Sequence, residues 1–456
     1  MKRGLFILFA TLNLSAAESP SVDFHPPRPL ADDALWSEWP RFFGPSDNNI
    51  TTETHLLEKF PEEGLSKIFE LKRGESYASP IIADGRLLHF HALKNHETLD
   101  CHHPETGKLI WTYRYPIQYR DRYGFSNGPR TSPVVSNGRV YLIGVTAMMH
   151  CFELKTGKLI WKRNLKEEFD IPDYFFGYGP NCLVYQNLVI VNVGGKENKS
   201  SGTCVAAFDA LDGSLTWKHH DEWGASYASP VISKIHNQDA LLVLAAGESK
   251  PAHGGLLTLN PKTGELFSRF SWRADIYESV LASSPLSLPN NQVFISECYE
   301  KGGVLLQFNK ELQPNPVWTK RYFGMHMMTP LLIDDHLYGF AGRNVPDTQL
   351  KCANLKTGEI IWEDDARWRE QNRISGLFRG SFIKTQNRLF SLGEDGAFVE
   401  LSLTPEGPKI LQRTRLFTAT ESWTPPAIVR GLLYIVQNSK GFDGSSPRLI
   451  CYDLRR

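Results

Sequence analysis

Short apolar runs of strand length, divided by turn residues, recur along most of the chain, and two kinds of element alternate. In the first, a Ser-Pro or Thr-Pro step leads into an apolar run, a two-residue turn and a second apolar run. Thus Ser79-Pro80, Ile81-Ile82-Ala83, Asp84-Gly85 and Arg86-Leu87-Leu88 match Ser132-Pro133, Val134-Val135-Ser136, Asn137-Gly138 and Arg139-Val140-Tyr141. The step returns at Ser229-Pro230, Ser284-Pro285, Thr329-Pro330 and Thr424-Pro425. Asp-Gly and Asn-Gly let both central residues take positive φ, which a tight hairpin requires.

The second element is an apolar strand, a Thr-Gly turn and a strand with Trp four residues after the Gly, as in Thr156-Gly157-Lys158-Leu159-Ile160-Trp161. It recurs at Thr106-Gly107 with Trp111, Asp212-Gly213 with Trp217 and Thr357-Gly358 with Trp362. Degenerate copies are Thr263-Gly264, where Ser268 replaces Trp, and Val317-Trp318, which lacks the Thr-Gly. The two elements together repeat about every fifty residues, the spacing of propeller blades.

Each pair of elements makes one four-stranded antiparallel blade. Counting weaker copies that open near Asn181 and Ser381 gives eight, so the chain is predicted to be an all-β, eight-bladed propeller. The last blade, with Thr424-Pro425 and Leu449–Leu454, ends without a Trp strand. The missing strand stands at the other end, in Leu65–Leu71 with Phe69 in the Trp position, and is predicted to close the ring and leave no long sheet edge open. The predicted organisation is a cleaved signal peptide over 1–17, an aromatic-rich N-terminal segment over 18–64, and the propeller over 65–456.

The serial Ser-Pro and Thr-Gly-x-x-x-Trp elements resemble those of the PQQ-like (pyrroloquinoline quinone) repeat propellers, the quinoprotein-like and BamB-like superfamily. Trp39-Pro40-Arg41-Phe42-Phe43-Gly44-Pro45 is similar to a lead-in motif of exported members. The resemblance implies three kinds of relative: quinoprotein dehydrogenases, the lipoprotein of the outer-membrane barrel-assembly machinery, and exported propellers without an assigned activity. The dehydrogenases hold PQQ over calcium against a disulfide between adjacent cysteines. Here no two cysteines are adjacent, no Cys-x-x-Cys-His occurs, and no calcium-ligand trio can be matched, so neither PQQ nor calcium has a residue assigned to it. The lipidated Cys of the assembly lipoprotein is also missing.

Composition narrows the function. Lys plus Arg and Asp plus Glu both number 50, so no net field attracts nucleic acid. Lys2-Arg3, an apolar run from Leu5 to Leu14 and Ser15-Ala16-Ala17 have the form of a signal peptide, too short for a membrane span, and imply a periplasmic or secreted location without a transmembrane segment. Of the seven cysteines, Cys101, Cys151, Cys352 and Cys451 share one repeat position, where Ala207 and Thr258 also fall. A small buried residue accounts for that position better than a disulfide framework.

In a four-stranded meander the first and third turns share one face, and the second turn and interblade link share the other. The first face has the tight turns; the second has long links at 114–130, 163–180, 270–283 and 363–380 and long loops at 194–203, 246–254, 341–349 and 438–448. Loops on a rigid scaffold carry binding function, so a ligand is expected at the channel mouth on the long-loop face. Tyr77, Arg130, Tyr227 and His326, just before inner strands, and Arg343 and Glu394, from within-blade loops, are the candidate ligand-binding residues. His102-His103 and His219-His220-Asp221-Glu222 are read as solvated turn residues, and no metal or catalytic residue is assigned. The leading expectation is a monomeric, exported, non-catalytic propeller that binds a partner protein or envelope ligand. A PQQ-dependent oxidoreductase and a carbohydrate-binding or processing propeller are the alternatives.

Overall fold

A computed structural model describes residues 24–456 apart from 196–201, 248–252, 278 and 371–372. The signal-peptide reading of 1–17 and parts of the 194–203 and 246–254 loops lie outside the described residues. Among them, eight four-stranded antiparallel sheets make a ring of blades: 81–116, 134–164, 183–220, 231–271, 286–320, 331–364, 381–415, and a last blade in which Lys67–Lys72 pairs antiparallel with Arg448–Asp453. The predicted closure by the N-terminal strand is therefore present. One short helix, Leu165–Phe169, interrupts the strands, and no helix among the described residues is long and apolar enough to cross a membrane.

The repeat's chemistry follows from how neighbouring blades dock. Gly107, Gly157, Gly213, Gly264 and Gly358 lie against Phe69, Trp111, Trp161, Trp217 and Trp318 of the preceding blade, so close that an added Cβ would fall 2.4 to 2.8 Å from the ring. At Gly157, for instance, φ is +71°, and both the conformation and the space exclude a larger residue. The indoles also hydrogen-bond across the seam: Nε1–H of Trp111 donates to the Leu154 carbonyl at 2.9 Å, that of Trp318 to Leu355 at 2.8 Å and that of Trp362 to Thr404 at 2.8 Å. Phe69, which has no such donor, makes the closing contact on Gly107 by its ring alone.

The cysteine position has the same origin. Cys101, Cys151, Cys352 and Cys451 pair in register with Trp111, Trp161, Trp362 and Phe69, as Ala207 does with Trp217 and Thr258 with Ser268. A small side chain is required beside the docking ring. All seven cysteines are free, and six are buried.

Two expectations need correction. The 363–380 link is not simply a loop: Arg367–Glu370 and Arg373–Gly376 pair as a β-hairpin, its Arg-Trp-Arg-Glu run alternating as a strand does. His102 is not solvated. It ends strand His96–His102, is only 7% exposed, and its Nδ1–H donates to the Gly107 carbonyl inside the seam between the last blade and the first. His103 beside it is exposed.

The N-terminal segment runs along the inner strands. Trp39 bridges Ile82, the Pro40 carbonyl accepts from the Val135 N–H, and the Thr51 N–H donates to the Lys384 carbonyl. It is anchored on the last blade by Arg28 on Asp453, 2.9 Å away, and by Glu53, whose carboxylate accepts the N–H groups of Arg430 and Gly431 in the turn between two of its strands.

Candidate functional site

The interblade links end in a Ser, Thr or Asn that opens the next inner strand, and from Ser79 to Ser284 these residues hold the links to one another. The Ser79 N–H donates to the Ser132 hydroxyl at 2.9 Å, Ser132 N–H to the Asn181 side chain at 2.6 Å and Ser229 N–H to the Ser284 hydroxyl at 3.0 Å. The residue two positions earlier lies at the channel mouth. Tyr77, Arg130, Gly179, Tyr227, Ala282, Met327 and Arg379 all occupy that position, and all seven line one cavity of about 370 Å³. The eighth link contributes Glu421 and Trp423. Phe42 also lines the cavity, so the N-terminal segment forms part of its wall.

Five of the six predicted residues, Tyr77, Arg130, Tyr227, His326 and Arg343, come together in this lining. Glu394 lies behind it. There its Oε2 accepts from Trp423 Nε1 at 2.7 Å and from Arg379 Nε at 2.8 Å. Arg379 and Trp423 escaped the sequence reading, although Arg379 stands two residues before Ser381 just as Arg130 stands two before Ser132. The missing Pro after Ser381 hid that signal.

The lining is aromatic with fixed charges. The rings of Tyr77 and Trp423 stack at 5.4 Å and 20°, and Arg379 lies 4.4 Å from the Trp423 ring centre. Arg130 sits between the Tyr77 and Tyr119 rings, 5.6 and 5.5 Å away, while its guanidinium pairs with Asp121 at 2.7 Å. Asp121 further accepts the N–H groups of Tyr123 and Phe125. Arg343 lies 4.8 Å over Tyr299, and the Tyr299 hydroxyl meets His326 Nε2 at 3.3 Å. Burial, with Arg379 and Arg343 nearby, pushes the His326 imidazole down to about 3, so it is neutral at neutral pH. Burial also raises the Glu394 carboxyl above its ordinary value, against the opposing pull of Arg379 and Trp423.

Arg130 and Arg379 are thus neutralised by carboxylates. Among the described residues, Arg343 has no carboxylate partner and Glu421 no cationic one. Among the described residues that line the cavity, Arg343 and Glu421 are the charged groups without an oppositely charged partner.

The family described as outer membrane protein assembly factor BamB matches residues 95–364, more than half of the chain. The chain belongs to this family. Among solved structures, the propeller is similar to BamB from Moraxella catarrhalis, at a TM-score of 0.54 and 12% identity over 85% of this chain and 99% of that one. It is also similar to a europium-containing methanol dehydrogenase, at 0.62 and 12% over 91% and 98%. At such identities the likeness shows the fold alone. In sequence, the dehydrogenase subunit of the quinone alcohol dehydrogenase of Gluconacetobacter polyoxogenes is 28% identical over 155 residues, which is 33% of this chain and 20% of that protein. The match therefore spans about a fifth of that relative.

The quinone and calcium found in part of the superfamily can be tested against the donor set of this BamB-family mouth. The stacked Tyr77 and Trp423 offer a flat surface, but calcium takes about six to eight oxygen ligands. Glu394 is committed to Arg379 and Trp423, and Asp121 to Arg130 and two backbone N–H groups, which leaves Glu421. Cys298, next to Tyr299, is a free thiol. The described residues of the lining do not fit a quinone held over calcium.

Proposed function

We propose that the chain is an exported, monomeric, non-catalytic binding propeller whose channel mouth takes a segment of a partner polypeptide. The observation that carries this reading is the convergence of all eight interblade links on one aromatic cavity, in which Arg343 and Glu421 have no oppositely charged partner among the described residues. An inserted apolar or aromatic side chain fills such a cavity, an acidic neighbour pairs with Arg343, and a backbone N–H or basic group pairs with Glu421.

A partner larger than a small molecule is favoured by the rim. Tyr123, Phe125, Tyr277 and Phe442 are exposed around the mouth, with Tyr123 packed 5.4 Å from Phe176 and Tyr277 6.0 Å from Phe175. Aromatic residues are enriched at protein interfaces. The family's description as an assembly factor agrees with that use.

A photo-crosslinking residue placed at Phe125 or Tyr277 in the producing cell tests the proposal. A polypeptide adduct of defined size from these positions, with none from Lys155 on the tight-turn face, is the expected result. Equal labelling at all three positions, or none at the rim, contradicts it.

A further inference from the structure

The first blade turns a polar face toward the seam where the ring closes. Strands Arg86–Leu93 and His96–His102 pair with His89 opposite Asp100, and His102 follows two residues along on the same face. The metal-ligating atoms of His89, Asp100 and His102 lie within 4.8 Å of one another.

The hydrogen bonds fix which atoms are free. His102 uses its Nδ1–H on the Gly107 carbonyl at 2.9 Å, which leaves a lone pair on Nε2, and that buried atom has no protein partner. Both ring nitrogens of His89, a residue only 2% exposed, also lack one. Asp100 is held from two sides, by His91 Nε2 at 3.0 Å and by the Thr112 hydroxyl at 2.5 Å. His91 Nδ1 accepts the Gly74 N–H at 2.9 Å, so Nε2 is the protonated nitrogen that donates to Asp100. Buried imidazole nitrogens without partners are costly, and proteins seldom leave them so without an ion or water to bind. A histidine anchored through one nitrogen on a carbonyl and a carboxylate braced by a second histidine are the supports that metal ligands characteristically have.

We propose that His89, Asp100 and His102 bind a divalent first-row transition ion of the zinc type, with the remaining coordination left to solvent or a small anion. Two imidazoles and one carboxylate are a donor set that suits such ions. The site lies at the closing seam, since the carbonyl that orients His102 belongs to Gly107, on which the Phe69 ring docks. One group opposes the ion. Arg73, in the link from the last blade, is buried with all three guanidinium nitrogens unpartnered, and it acts electrostatically on His89 and His91. Its charge lowers the affinity for a cation, whereas an anion in the same place would depend on it.

The test is titration of the chelator-stripped full-length protein with Co²⁺, read by visible absorption, then displacement by Zn²⁺ and thermal melting. The expected result is one Co²⁺ per chain with a d–d band, loss of the band in His89→Gln and in His102→Gln, and its retention in His103→Gln. Thr112→Val weakens binding about 10-fold, Arg73→Met tightens it, and added Zn²⁺ raises the melting temperature with concentration. The proposal is overturned if the unsubstituted protein gives no band and no Zn²⁺-dependent melting shift. It also fails if the band survives in the His89→Gln/His102→Gln double variant, or if halide rather than Zn²⁺ raises the melting temperature and Arg73→Met abolishes that effect.

Discussion

The indole N–H of Trp423 donates to Oε2 of Glu394 at 2.7 Å, and this bond sets the plane in which Trp423 stacks on Tyr77 at the channel mouth. The same oxygen holds Arg379, so one largely buried carboxylate orients two lining residues from different blades.

Removing that carboxylate leaves the Arg379 guanidinium partly buried and unpaired. Glu394→Ala is expected to lower unfolding stability by about 1–3 kcal/mol, less than a fully buried pair would cost because Arg379 retains some solvent contact. Chemical denaturation measures the loss. Glu394→Gln, which keeps an acceptor for Trp423, is expected to lose less.

The docking of each Trp on the next blade's glycine gives a second prediction. Gly157→Ala forces a left-handed residue to carry a Cβ 2.5 Å from the Trp111 ring and is expected to cost about 2–4 kcal/mol. Trp111→Phe keeps an aromatic ring but loses the bond to Leu154, at a cost of about 1 kcal/mol from that bond, together with part of the indole's packing on Gly157. Equal losses in the two variants would contradict the docking account.

A third concerns pH. Glu97, fully buried between the first two blades, accepts from the Tyr115 hydroxyl at 2.5 Å and the Val145 N–H at 2.8 Å, and burial raises its carboxyl to about 7. Arg130 pulls it down, and His150 packs on Tyr115 while burial keeps its imidazole at about 4. Because the folded-state value is raised, the folded protein holds this proton between about pH 4.5 and 7, where the unfolded chain has released it. The contribution of Glu97 to stability therefore falls as pH rises through that window, by on the order of 3 kcal/mol. Glu97→Gln is expected to remove this slope. Melting temperatures of both proteins from pH 4.5 to 8 check it, and parallel curves would refute it.

The fold was legible because each blade repeats the same physical requirements in the same order. Gly is needed where the ring of the preceding blade docks, a small residue beside each Trp, and a Ser or Thr where the links bond to one another. Tyr77, Arg130 and Tyr227 could be placed at the mouth for the same reason. Arg379 stands in an equivalent position but was hidden by a degenerate repeat, and Trp423 stands one residue rather than two before the Thr424-Pro425 step. His89, Asp100 and His102 lie on two strands that only register brings together, so reading His102-His103 as solvated turn residues missed the buried face on which His102 lies. Glu394 was expected in the lining; its side chain turns inward because Arg379 and Trp423 both require it.

The central claim is that the mouth binds a polypeptide segment through Arg343 and its aromatic lining. Calorimetric titration with short peptides that place Trp or Phe beside Asp or Glu tests it most directly, with basic-aromatic peptides, oligosaccharides and PQQ with calcium as competitors. The account predicts saturable binding of the acidic-aromatic peptides, lost in Arg343→Met and in Trp423→Leu with the fold intact. Tight binding of PQQ with calcium, accompanied by reduction of an acceptor dye with alcohols or sugars, and no peptide binding would contradict it.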